Sequence, residues 1–325
     1  MKRKILPMGD PLINTYNIYG SIFSIIADEQ NMLDWVYNNF IQIQYVHDWN
    51  TLFFDKHHQL LDNCPWLAKY RIPINLVNEK WDEKKDFFIQ TIEEEYYIYC
   101  YVDRFYLPSS TSFHKEHNYH EVLVFGFDLE KNVFYLADNL ANGKYITVEI
   151  NVTDFVAAFE NVYSDNDFFT GIHIMKKRAE DTSIDVKQIF NSFQDFIDSR
   201  KTNNLEYNVD VVYGQEALNQ VRLNVIDRKE SKVKLDVRAF HLLWEHKKLM
   251  SLRLEFLYQK NLIREHSYVE EYKKIEKEML LIRNNALKYN LVKDTKILDW
   301  IDSKLFSSTE TEKEILEAIV GRAER

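Results

Sequence analysis

Hydrophobic positions change their spacing along the chain. Ile18–Asp28 (IYGSIFSIIAD) is apolar almost all round, the pattern of a short buried helix. Met32–Ile43 continues at helical spacing, and Asn50–Asn78, broken by Pro65 and Pro73, predicts irregular structure. Trp81, Phe88 and Ile92 share one face at helical spacing and predict an amphipathic helix over Trp81–Glu94. From Tyr96 the character shifts. Tyr96–Asp103 (YYIYCYVD) is rich in β-formers. His120–Asp128 (HEVLVFGFD) and Asn132–Asp138 (NVFYLAD), separated by a short, mostly charged turn, predict an antiparallel hairpin. Tyr145–Ile150 and Phe168–Lys176 predict further strands. Between them Thr153–Val162 predicts a helix capped by Thr153 or Asp154.

After the polar stretch KKRAEDTS (Lys176–Ser183) the pattern is helical. Ile184–Ser199 carries Ile189, Phe193, Phe196 and Ile197 on one stripe, and Ala239–Gln259 is apolar on several faces, as in the central helix of a bundle. Ser267–Tyr289 and Asp294–Leu305 read as further amphipathic helices. All five prolines lie at or before Pro108. The expectation is an α+β chain: a domain over residues 1–177 with helices followed by a meandering antiparallel sheet, and a helical domain over 178–325. The apolar stripes of the second part serve as core or as a homodimer face.

Composition narrows the function classes. The 325 residues carry a formal charge of −10, whereas nucleic-acid binders normally show a basic excess. This argues against nucleic acid and against anionic membrane surfaces as partners. The 7 glycines never cluster in one loop, so neither a P-loop nor a dinucleotide fingerprint can be drawn. The two cysteines, Cys64 and Cys100, form no CxxC pair. Cys100 alternates with Ile98 and Val102 on an apolar strand face and reads as core, while Cys64 precedes Pro65 in a loop. No secretory h-region and no run of 18 apolar residues is present, so the expectation is a cytoplasmic protein without a cofactor.

The candidate chemistry lies in the hairpin. His120 opens one strand and Asp138 closes the next, and in an antiparallel pair those two ends are side by side. An imidazole oriented by a carboxylate is the base of a nucleophilic site. On spacing alone, a His and an Asp at hairpin ends are more often two solvated polar residues.

The stretches YVDRFYLP (Tyr101–Pro108), HNYHEVLVFGFD (His117–Asp128) and FYLAD (Phe134–Asp138) resemble the N-terminal domain of the butirosin biosynthesis protein H family. YGQEAL (Tyr213–Leu218) and LDVRAFHLLWEHKKLMSLRLEFL (Leu235–Leu257) are similar to the helical second half of its longer members. The resemblance implies a papain-like fold and acyl transfer from a carrier-protein thioester to an amine in specialised-metabolite biosynthesis. Its partners would then be an acyl or peptidyl carrier protein and a small-molecule amine acceptor. His120 and Asp138 would take the base and orienting roles. The family's cysteine should fall around Tyr16–Tyr19, where this chain reads INTYNIYGSIFSII; Asn17 takes the vacant place by register. Thr15 and Ser21 are the hydroxyls nearby, Ser21 being the possible substitute nucleophile.

Three readings stand. The protein is a catalyst with a replaced nucleophile, or one in which His120 activates the acceptor amine directly. It is a catalytically dead papain-like scaffold. Or His114, His117 and His120, with His57 and His58, bind a metal. Asp103 and Arg104 read as a surface ion pair or as cleft residues. Tyr96, Tyr97, Tyr99 and Tyr101 read as cross-strand pairs or as a stacking surface. Glu245, His246 and Arg253, on an otherwise apolar helix, read as a structural network or as substrate contacts.

Overall fold

A computed structural model describes residues 1–141, 143–164, 166–203 and 209–323. In chain order the strands are β1 (Arg3–Ile5), β2 (Ile43–Val46), β3 (Thr51–Phe54), β4 (Leu67–Pro73), β5 (Tyr97–Asp103), β6 (Tyr119–Asp128), β7 (Val133–Ala141), β8 (Lys144–Asn151), β9 (Gly171–Lys177) and β10 (Val211–Tyr213). The helices are α1 (Asn17–Ile25), α2 (Met32–Asn39), α3 (Leu60–Asn63), α4 (Ile74–Lys80), α5 (Lys84–Glu93), α6 (Val152–Glu160), α7 (Asp167–Thr170), α8 (Val186–Ile197), α9 (Gly214–Ser231), α10 (Val237–Gln259), α11 (His266–Val292) and α12 (Thr295–Ala323). The architecture is α+β, and both sheets are antiparallel.

The described chain groups into two compact units, residues 1–30 with 59–181 and residues 31–58 with 182–325. A single division at 177/178 therefore misassigns residues 31–58, which fold with the helical part.

The first unit is built on a seven-stranded sheet in the order β4-β9-β5-β6-β7-β8, with β1 pairing β6. The β6–β7 hairpin forms as its spacing predicts. Asp128 Oδ1 accepts from the backbone N–H groups of Glu130 and Lys131, both at 3.0 Å, and Asn132 takes the left-handed conformation at φ 57°. Helices α5 and α6 pack on this sheet through Phe88, whose ring lies 4.8 Å from Phe155, 5.0 Å from Phe159 and 5.8 Å from Phe134. The α6 cap is Asn151, whose side chain accepts from Thr153 N–H, rather than Thr153 or Asp154. Phe168–Thr170 belong to the short helix α7, so β9 starts only at Gly171.

The second unit holds the helices α8–α12, α2 and the small sheet β10-β2-β3. The run Ile41–Val46 alternates between apolar residues and the glutamines Gln42 and Gln44, a period of two that sets it as strand once α2 ends at Asn39. Arg253 of α10 explains why residues 31–58 belong here. Its guanidinium is wholly buried and donates to the carbonyls of Val36, Tyr37 and Phe40 at 2.8–3.0 Å. These carbonyls lie at the C-terminal end of α2, where a helix runs short of donors; Val36 also accepts from the Phe40 N–H. His246 Nε2 lies 2.7 Å from the Ile41 carbonyl, and Lys247 pairs with Glu312 at 2.7 Å while Tyr272 also bonds Glu312. Glu245, His246 and Arg253 are all buried, in line with the structural reading of that trio. No described helix is long and apolar enough to cross a membrane.

Candidate active site

Every residue of the candidate site lies in the first unit. β5 pairs β6 with Val102 opposite His120, and the β6–β7 pairing runs to Leu123 opposite Ala137. Asp138, the next residue of β7, therefore arrives at the end of β6 where His120 stands. His120 Nδ1 lies 3.1 Å from Asp138 Oδ1. The same nitrogen lies 3.0 Å from the Glu121 carbonyl oxygen and 2.9 Å from Arg104 Nη2. Two acceptors against one donor favour a proton on Nδ1, which leaves the Nε2 lone pair as the reactive position.

Asp138 is fully buried and its carboxylate is saturated. Oδ2 accepts from Arg104 Nη2 at 2.6 Å and Nε at 3.2 Å, and Oδ1 accepts from Asn139 N–H at 2.5 Å. Charge-assisted bonds of this kind hold a carboxylate in one orientation. Asn139 ties the strand end down further by donating to the carbonyl of Asn14, just ahead of α1. Burial of the His120 ring works against its charged form. The hydrogen bond and charge of Asp138 outweigh that, Arg104 opposes and Glu121 adds, so its pKa is raised from the ordinary 6.5.

Asn17 is the first residue of α1, where helix geometry favours an anion or an activated thiol. Its Nδ2 donates to the Glu121 carbonyl at 2.5 Å, the carbonyl that His120 Nδ1 also meets. The structure thus brings Asn17, His120 and Asp138 together. Ser21, one turn further into α1, is fully buried; its hydroxyl donates to Asn17 Oδ1 at 3.3 Å and accepts from Tyr145 OH at 3.3 Å. Its hydrogen bonds go to those two groups and not to His120, so it does not stand as a substitute nucleophile in this arrangement. Tyr145 closes the space over this turn: a Cβ on Gly20 would lie 2.5 Å from its ring. Thr15 is buried just ahead of the helix.

Arg104 joins the site as a partner of both His120 and Asp138, a role that the sequence reading did not give it. It and Asp103 do not form a surface pair: both are buried. Asp103 Oδ2 holds His117 Nδ1 at 2.5 Å, while its Oδ1 accepts from the backbone N–H groups of Phe105 and Asn118. The signal available was a charged dipeptide closing an otherwise apolar strand. The three histidines of the metal reading go separate ways. His114 stacks on Phe113 and lies beside Phe105, His117 stacks on Phe105 and bonds Asp103, and His120 bonds Asp138. Among the described residues, no group of three or more His, Cys, Asp or Glu side chains could hold a metal ion. Cys64 and Cys100 are both buried free thiols; burial pushes Cys64 up to about 12 and Cys100 higher still.

In comparisons with known proteins, no protein-family model and no curated sequence matches this chain.

Proposed function

We propose that this protein is a catalytically dead, papain-like relative of the butirosin biosynthesis protein H family. In this reading it acts in the cytoplasm as a binding or scaffold partner for an acyl or peptidyl carrier protein in specialised-metabolite biosynthesis. The observation that carries the reading is Asn17. An amide stands at the head of α1 beside His120, with its nitrogen committed to the Glu121 carbonyl and its oxygen to Ser21. An amide nitrogen has no lone pair to attack a thioester, and a buried, bonded Ser21 offers no replacement. The test is incubation with an acylated carrier protein followed by intact mass measurement. Stable association without an acyl adduct is expected; an adduct on Ser21 or Thr15 would overturn the reading.

A second reading is favoured by one specific feature, the His120–Asp138 pair. The His120 side chain remains 29% exposed, with Nδ1 held and Nε2 open. An acceptor amine could attack the thioester carbonyl directly while Nε2 takes the N–H proton; the thiolate then leaves and collects that proton. This is acyl or aminoacyl transfer without a covalent enzyme intermediate. Thioester consumption that needs both the amine and His120 would select it over the scaffold.

A further inference from the structure

Helix α11 packs against α10 and α12 and leaves one side to solvent. That side changes character halfway along. In its first half exposed charges are paired, Lys273 with Glu255 and Lys274 with Glu271, both at 2.6 Å. From Met279 to Lys293 the chain has no Asp or Glu. The exposed positions there are Leu281, Asn284, Leu287, Lys288, Leu291 and Val292, which three- and four-residue steps set along one side of the helix. Leu291 is 85% exposed and Leu281 53%. A single exposed leucine is ordinary, but four large apolar side chains on one stripe form a patch.

The connection from α9 to α10 extends the patch. Leu235 and Asn290 exchange two hydrogen bonds of 2.8 Å, and Tyr289 OH donates to the Val233 carbonyl at 3.3 Å. Lys232, Val233 and Lys234, all exposed, are thereby held beside the end of α11. Lys232, Lys234 and Lys288 make no ion pair with any described residue. Four carboxylates flank the two segments in sequence. Asp236 is taken by Arg238, Glu278 by Lys304, and Asp294 by the Lys296 N–H, which leaves Glu230. In a chain of formal charge −10, this one surface is apolar and cationic.

The charge pattern says what covers it. A second copy, packed about a two-fold axis, would set these lysines against the same lysines. A lipid surface would bury the Asn284 amide, in the middle of the stripe, against acyl chains, and the stripe carries no exposed Trp, Tyr or Phe to seat at a membrane interface. A helix of an acidic protein meets neither obstacle. Its apolar side chains cover Leu281, Leu287 and Leu291, its carboxylates meet Lys232, Lys234 and Lys288, and its polar groups reach Asn284. We propose that this side of α11 is the docking surface for an amphipathic, acidic α-helix of a partner protein. The surface lies wholly in the second unit and does not rest on the function proposed for the His120 site.

The test titrates the full chain into a fluorescein-labelled peptide with leucine at the a and d positions of about three heptads and glutamate elsewhere. Its counterpart with lysine for glutamate, and vesicles of phosphatidylglycerol and phosphatidylcholine, are titrated alongside. A saturable rise in anisotropy with the glutamate peptide, weakened by added salt, is expected. Leu291→Gln and Lys288→Glu, both at exposed positions, should each lower that affinity roughly tenfold, about what a covered leucine or an interfacial charge pair contributes. Circular dichroism checks that both variants are folded. No binding of the glutamate peptide, equal binding of the lysine peptide, or affinity unchanged in both variants would each overturn the proposal. So would vesicle binding that these variants abolish, or a dimer in sedimentation that Leu291→Gln dissolves, since either result gives the stripe to a different occupant.

Discussion

Asp103 and Arg104 are consecutive residues, yet each holds a different histidine. Asp103 Oδ2 lies 2.5 Å from His117 Nδ1, and Arg104 Nη2 lies 2.9 Å from His120 Nδ1. The strand β5 ends between them, so the two side chains leave in different directions. One dipeptide thereby fixes both ends of the loop that leads into β6.

Arg104 supplies the countercharge to the fully buried Asp138 carboxylate, at 2.6 Å. Arg104→Met should destabilise the protein by about 3–5 kcal/mol, because it leaves a buried carboxylate without its countercharge. Urea unfolding of the single variant and of Arg104→Met/Asp138→Leu checks this. The double variant should recover part of the loss, since no charge then remains buried.

Asn17→Cys places a thiol at the head of α1 beside His120. Helix position and a neighbouring imidazolium both stabilise a thiolate. The variant should be alkylated by iodoacetamide near neutral pH far faster than Cys64 or Cys100, which burial protects. Adding His120→Ala should slow that alkylation. Equal rates with and without His120 would remove His120 from the pair with position 17.

Two histidines of the first unit push the pH profile in opposite directions. His120 has a raised pKa, so its stabilisation is complete below 6.5 and is lost as pH rises through the folded value. His173 is held down to about 4 by burial, with Lys69 and Arg71 adding to the effect. It is neutral in the folded chain where the unfolded chain would protonate, so stability falls as pH drops from 6.5 toward 4. Denaturant midpoints against pH should show a flatter acid limb in His173→Gln. In His120→Gln the loss relative to the parent should be largest at acid pH and shrink as pH rises.

Gly20→Ala places a methyl group 2.5 Å from the Tyr145 ring. Despite alanine's better helix propensity, overpacking should win and cost about 1–3 kcal/mol. Gly20→Ala with Tyr145→Leu should relieve it, which thermal unfolding of the pair would show.

Much of this was legible from spacing. The order His–strand–turn–strand–Asp fixes the meeting of His120 and Asp138 because β6 and β7 are joined by a short turn and the pairing can hardly slip. Asn17 comes from the resemblance, one residue ahead of the helix that the apolar pattern gives over Ile18–Asp28. Arg104 was not legible, because its partners lie 16 and 34 residues on and only the folded sheet brings them within reach. The strands β2 and β3 were hidden by their length: four residues each, all buried, in a stretch whose first part also fits a helix. The alternation of Ile41, Ile43 and Tyr45 with Gln42 and Gln44 was the signal for the first of them. The charges on α10 could be read as buried, but not that Arg253 would reach the carbonyls at the end of α2.

That last contact bears on the order in which the chain can fold. Residues 31–58 emerge from the ribosome early, yet Arg253 and the strand β10 that pairs β2 emerge long after β9 has completed the first sheet. The first unit can therefore close while residues 31–58 still wait for the rest of the second unit. During that interval β2 and β3 form a hairpin with an open edge, the kind of surface that chaperones cover and that other chains invade. Shortening the chain anywhere before β10 would make that interval permanent.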